Sequence, residues 1–151
     1  MAASKPPDPF DLHRFLAAQA NDYEDAIAEL RAGRKRTHWM WYVFPQLRGL
    51  GFSPTSQFYA IGSAEEARAY LGHEVLGMRL RECLSVLNGL ETDSAEDVFG
   101  RVDAAKLRSS LTLFEAVTVE KAPFARALEK FFGGKRDDRS LAILATMTSR
   151  K

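Results

Sequence analysis

The chain has 151 residues, 46% of them hydrophobic and 27% charged. That fits one globular domain able to bury roughly 68% of the surface its unfolded chain exposes, and it excludes a disordered, collagen-like or disulfide-stapled chain. Twenty-one Lys and Arg against 20 Asp and Glu leave +1, too little for an overall field that draws the protein to nucleic acid or anionic lipid.

The one cysteine, Cys83, cannot form an internal disulfide. Met1 to Pro9 lacks a secretory apolar run, and no stretch approaches the ~18 apolar residues of a membrane span. The expectation is a cytoplasmic protein with no nucleic-acid and no membrane partner. Residues 1–9, polar and proline-bearing, read as a flexible N-terminus, and 10–148 as a single helical domain.

Asp8 before Pro9 reads as an N-cap with proline at the first helical position, and Leu12, Phe15 and Leu16 follow at helical spacing. Asn21-Asp-Tyr-Glu24 offers a new cap, and Tyr23, Ile27 and Leu30 predict a second helix ending near Gly33. Arg34 to Pro45 is too aromatic for an ordinary amphipathic face; it reads as a short buried helix, with a strand as the alternative. Pro45 to Pro54, holding Gln46, Arg48, Gly49 and Gly51, reads as a shaped loop, and Ser53 to Tyr59 as a capped helix start.

Ser63-Ala-Glu-Glu66 is a capping box, with Ala67, Tyr70 and Leu71 continuing its helix to Gly72. Leu76, Leu80, Cys83, Leu84 and Leu87 predict an antiparallel partner ended by a left-handed Gly89. Ser94 caps a turn toward Phe99 and Gly100. Helices through Leu107 to Val117 and Phe124 to Phe132 follow, the second ended by Gly133-Gly134. Asp138 caps a last helix through Leu141, Leu144 and Met147, with Ser149-Arg150-Lys151 trailing into solvent. No Asn-Gly or Asp-Gly hairpin and no repeat is present, so the fold class is all-α, a single compact multi-helix domain.

The densest chemistry lies between Arg34 and Tyr59, which holds both tryptophans, Trp39 and Trp41, with Tyr42, Phe44, Phe52, Phe58 and Tyr59. These rings make either a core centrepiece or the walls of a cleft. On a helix, His38 would share a face with Arg34 and Tyr42, joining a base, a cation and a phenol; otherwise the basic run is a solvated end. Gln46, Arg48 and the loop glycines suit an anion cradle or an ordinary turn. Lys106, Arg108, Ser109, Ser110 and Thr112 suit inter-helix hydrogen bonds or substrate contacts. Cys83 sits at an apolar position and reads as an inert buried thiol. No zinc spacing links His13, His38 and His73, and no P-loop, dinucleotide fingerprint or nucleophile elbow occurs, so neither a metal nor another cofactor is expected.

The runs Gly33-Arg-Lys-Arg-Thr-His-Trp-Met-Trp-Tyr-Val-Phe-Pro-Gln-Leu-Arg-Gly-Leu-Gly51, Ser63 to Leu71 and Leu107-Arg-Ser-Ser-Leu-Thr-Leu-Phe114 closely resemble the domain-of-unknown-function family 1810. The likeness spans Phe10 to Leu144. It implies a small all-helical bacterial protein and brings no reaction or catalytic residues. Some members carry the label calpastatin, whose inhibitory regions are disordered, repeated and poor in aromatics, unlike this chain. Pro54-Thr-Ser-Gln-Phe-Tyr59 is partly similar to a site segment of the NADAR family of ADP-ribose-related N-glycosidases, but Gln57 and Phe58 stand where that family has an acidic residue and a histidine.

Two functional expectations follow. In the first, one pocket between 37–44, 45–59 and 106–112 binds or hydrolyses a small anionic, nucleotide-like metabolite. His38 is then the general acid or base, and Arg34, Trp39, Trp41, Tyr42, Gln46, Arg48, Tyr59, Lys106, Arg108 and Ser109 are the ligand contacts. In the second, the aromatic segment is a non-catalytic interaction or homodimer surface.

Overall fold

A computed structural model describes residues 7–148. The N-terminal reading for residues 1–6 and the trailing Ser149–Lys151 lie outside the described residues. Eight helices occur among these: α1 (His13–Arg31), α2 (Met40–Val43), α3 (Pro54–Phe58), α4 (Ala64–Gly72), α5 (Glu74–Asn88), α6 (Ala95–Val117), α7 (Ala122–Phe132) and α8 (Asp138–Thr148). The only strand-like pairing among them is an isolated parallel bridge between Leu47 and Ile61. The all-α expectation holds, and no helix among the described residues is long and apolar enough to cross a membrane.

The two helices expected before Gly33 are one. No glycine or proline interrupts 13–31, and Phe15, Gln19, Tyr23, Ala26, Ile27 and Leu30 form a single buried stripe while Asn21 stays exposed. A continuous apolar face outweighs the local cap signal. Asp8 does hold helix-start amides, accepting from Leu12 at 2.8 Å and His13 at 3.0 Å. It does so across a turn, so the helix begins at His13 rather than at Pro9.

Ser63 caps α4 by accepting from the Glu66 amide at 3.0 Å, and the Glu66 carboxylate in turn accepts from the Gly62 amide at 3.0 Å. Gly89 is not left-handed: its φ is −92°, and its amide bonds back to Ser85 and Val86 at 3.1 Å. The chain leaves α5 by tightening its last turn, which needs no positive φ. At α8 the cap is Asp137, one residue before the expected Asp138. Asp137 Oδ2 accepts from the Ser140 amide at 3.0 Å and from its hydroxyl at 2.6 Å. α6 breaks at Gly100, whose φ of 79° and ψ of 165° lie in a region open only to glycine; the expected short turn before the long helix is therefore present.

The core is one contiguous cluster drawn from α1, α2, α4 to α8 and the connecting residues Leu12, Trp39, Phe44, Leu47 and Ile61. Ring contacts run through it from Phe15 to Tyr70 (5.0 Å), Tyr70 to Phe114 (5.4 Å) and Phe114 to Phe124 (6.2 Å), linking α1, α4, α6 and α7. α6 packs against α4, α7 and α8, which places one side of it next to the start of α8.

Candidate functional site

The aromatic segment divides into core and surface. Trp39, Phe44 and Phe99 form a buried triangle with centroids 6.1–6.3 Å apart. The Trp39 indole donates to Glu29 at 3.0 Å, so its polar edge is satisfied from α1. Buried Gln19 donates to the Tyr42 carbonyl at 2.6 Å and to the Tyr70 hydroxyl at 3.0 Å, fixing α2 on α1 and α4. Most rings therefore follow the core reading.

Residues 34–39 are not helical, so Arg34 and His38 share no helix face with Tyr42. Arg34 and His38 are exposed. The Tyr42 hydroxyl bonds Asp22 and lies 3.1 Å from the His38 carbonyl oxygen, not from its ring. Burial and the Asp22 carboxylate raise the Tyr42 phenol above its ordinary range. Tyr59 stacks obliquely on Tyr42 at 5.1 Å. Burial pushes the Cys83 thiol up to about 12, in keeping with an inert core cysteine.

The segment after α2 turns back on itself through two bonds of 2.8 Å, Arg48 amide to Ile61 carbonyl and Ile61 amide to Gln46 carbonyl. Between them the chain passes Gly49 (φ 103°) and Gly51, where a Cβ would stand 2.7 Å from that of Ser56. This close turn lays the loop along α6 and the start of α8. The three walls enclose a cavity of about 240 Å³ lined by Gln46, Leu50, Gly51, Ser56, Val102, Ala105, Lys106, Arg108, Ser109, Asp137 and Arg139.

Its charge is lopsided: three cations face one carboxylate. Arg108 Nη2 is 3.9 Å from Asp137 Oδ1, a loose pair, and Arg108 Nε is buried with no hydrogen-bond partner among the described residues. Asp137 Oδ2 is already committed to Ser140. Lys106 is 3.4 Å from Asp103 and 4.9 Å above the Trp41 ring, whose own buried Nε1 is unpartnered. Arg139 reaches the Gly49 carbonyl at 3.5 Å. The helix hydroxyls mostly serve the fold: Ser109 donates to Ala105 and Thr112 to Arg108, while Thr112 also accepts the Asp137 amide at 3.0 Å. A buried donor left without a partner is expensive in free energy, so a cation-rich cavity with spare N–H groups is chemically suited to an anion.

Arg48 lies elsewhere. It lines a separate cavity of about 430 Å³ with Arg14, Gln57, Phe58 and Glu66. There the Arg14–Glu66 pair closes at 2.6 Å with each side chain 9% exposed. The largest of the described cavities, about 790 Å³, is mainly apolar and runs from Pro7 to His13 and on to Ala69 and His73. Of its few polar groups, the Asp8 carboxylate holds two amides and His73 Nδ1 those of Val75 and Leu76, and no cation-rich cluster like that of the smaller cavity lines it.

Of the expected contacts, Gln46, Lys106, Arg108 and Ser109 come together, with Trp41 under Lys106. Arg34, His38, Trp39, Tyr42, Arg48 and Tyr59 line no part of this cavity. Asp137 and Arg139 were not anticipated. The available signal was the charged run Lys135-Arg-Asp-Asp-Arg139 directly after the helix-ending Gly133-Gly134, a place where a chain reversal sets side chains over a neighbouring helix.

The profile of a family described as protein of unknown function (DUF1810) matches residues 9–144. The crystal structure of the conserved hypothetical protein Rv1873 from Mycobacterium tuberculosis is similar in fold, with a TM-score of 0.90 and 54% identity over 91% of this chain and 99% of that one. No curated protein matches the chain.

Proposed function

The chain belongs to the DUF1810 family, and we propose that it binds a small phosphate-bearing metabolite in the cavity between the 46–56 loop, α6 and the start of α8. The observation that carries this reading is the buried, unpartnered Nε of Arg108 beside Lys106 and Arg139. A phosphate oxygen would satisfy that donor, and Arg108, held only loosely by Asp137, is free to turn its fork toward it. Lys106 and Arg139 add charge, while Gln46 adds amide hydrogen-bonding capacity at the rim. The reading stops at binding, because His38 stands outside the cavity and the carboxylate within it is engaged by Ser140 and Arg108.

Calorimetry and thermal unfolding with inorganic phosphate and pyrophosphate test it. Ligand at a hundred times its dissociation constant stabilises the fold by about 2.7 kcal/mol, a rise of roughly 5–10 °C for a chain of this length. Arg108→Gln is expected to weaken binding roughly tenfold or more, as loss of a charge-assisted bond does. No shift in the parent, or an equal shift in the variant, would overturn the reading.

A second reading, self-association, rests on Phe52 and Phe58, which are 75% and 57% exposed. It moves the expected surface from Trp39, which is fully buried, to the α3 corner. Sedimentation velocity over a wide concentration range, with Phe52→Ser and Phe58→Ser alongside, decides it; a monomer throughout removes it.

A further inference from the structure

The anion cavity is small beside the ~300–1,000 Å³ of pockets that take a whole metabolite, and it does not stand alone. Arg108 and Ala105 also line a second cavity, about 380 Å³, on the adjoining side of α6. Its other walls include Ala95, Arg101, Ala104, Phe131 and Phe132. α6 can host both because the Gly100 break turns its first five residues out of line with the rest. The two spaces therefore meet at a ridge made of one methyl group and one long, incompletely held arginine.

Resting on the proposed phosphate reading, we infer that the ligand is an organophosphate with a flat apolar group. Its phosphate lies among Lys106, Arg108 and Arg139, and its ring crosses the Ala105 ridge into the second cavity against Phe132. Phe132 is half-buried, so one part of the ring remains available to a partner, and aromatic faces favour flat groups. Arg108 serves both halves: its N–H groups bind phosphate oxygens and its guanidinium plane covers the ring. Ala105 is exposed, so a larger side chain there closes the crossing without disturbing the core.

The test compares inorganic phosphate with phenyl phosphate by calorimetry on the full chain, using the parent, Ala105→Leu and Phe132→Ala. Thermal unfolding of the unliganded proteins confirms that each variant folds. Phenyl phosphate is expected to bind the parent about tenfold or more tightly than phosphate, the increment that burial of most of one ring face gives. That advantage should disappear in Ala105→Leu and shrink in Phe132→Ala, with phosphate affinity unchanged in Phe132→Ala, because Phe132 lines only the second cavity. If both probes bind the parent equally, or the advantage survives Ala105→Leu, the second cavity is not used and only the phosphate reading stands. If neither probe binds, both readings fall together.

Discussion

The Glu29 carboxylate accepts four hydrogen bonds, from the Arg36 amide (2.6 Å), the Thr37 amide (2.9 Å), the Thr37 hydroxyl (2.6 Å) and the Trp39 indole (3.0 Å). Burial by itself would raise its pKa, but these donors prevail and bring it from 4.5 to about 2. A carboxyl lowered on folding binds fewer protons in the native than in the unfolded chain. Its contribution is therefore fully present above pH ~4.5 and fades as pH falls toward 2. Glu29→Gln should flatten the acid limb of stability within that window, read as urea midpoints from pH 6 to 2.5; a limb parallel to the parent's would contradict this. Glu29→Ala should cost about 1–3 kcal/mol, because it strands the indole of the fully buried Trp39. The need of Trp39 for a polar partner was legible in its side chain. The identity of that partner was not, since Glu29 lies on another element and no periodicity connects the two.

At the level of the helices, α4 and α5 meet at a corner where the chain comes closer than any side chain allows. A Cβ on Gly77 would stand 2.0 Å from the Leu71 carbonyl oxygen, and because that obstacle is backbone it cannot swing aside. Gly77→Ala is expected to destabilise by about 1–3 kcal/mol or more, a fall in melting temperature of at least roughly 3 °C. Gly72, five residues earlier in the helical last turn of α4, has nothing within 4 Å. Gly72→Ala should stabilise by about 0.5–1 kcal/mol. Thermal melts of the pair check the contrast; equal effects would mean the corner has room to open. Helices were legible wherever an apolar stripe repeated, and boundaries where serine caps or paired glycines stood, as at Ser63, Ser94 and Gly133. Local signals misled at Asn21, Gly89 and Asp138, where a continuous apolar face, a tightened last turn and a one-residue shift in capping decided the outcome.

Across the whole molecule, the loop that walls the proposed site is tied down from its far end by Arg14. Its guanidinium donates to the carbonyls of Phe10 (2.6 Å), Asp11 (2.8 Å), Phe58 (2.8 Å) and Ala60 (3.0 Å) and to Glu66 (2.6 Å), joining the N-terminal turn, the exit of α3 and the start of α4. No motif announces this hub, because its partners beyond the N-terminal turn lie 44 to 52 residues away; for the same reason the approach of Arg139 to Gly49, 90 residues apart, was not legible, whereas the loop and the 106–109 stretch were each marked by composition. Arg14→Met would leave Glu66 a nearly buried carboxylate with the Gly62 amide as its remaining hydrogen-bond donor, a loss of about 3–5 kcal/mol. Arg14→Met combined with Glu66→Gln should lose less than the sum of the two single changes, since the second removes the stranded charge. Urea unfolding of the three variants measures that coupling. Phosphate titration of the folded Arg14→Met protein then separates two supports of the loop. Weaker binding means the Arg14 hub sets the position of Gln46 and Gly51 from a cavity it does not share. Unchanged binding means the Leu47–Ile61 bridge and the Arg139–Gly49 contact hold that wall without the hub.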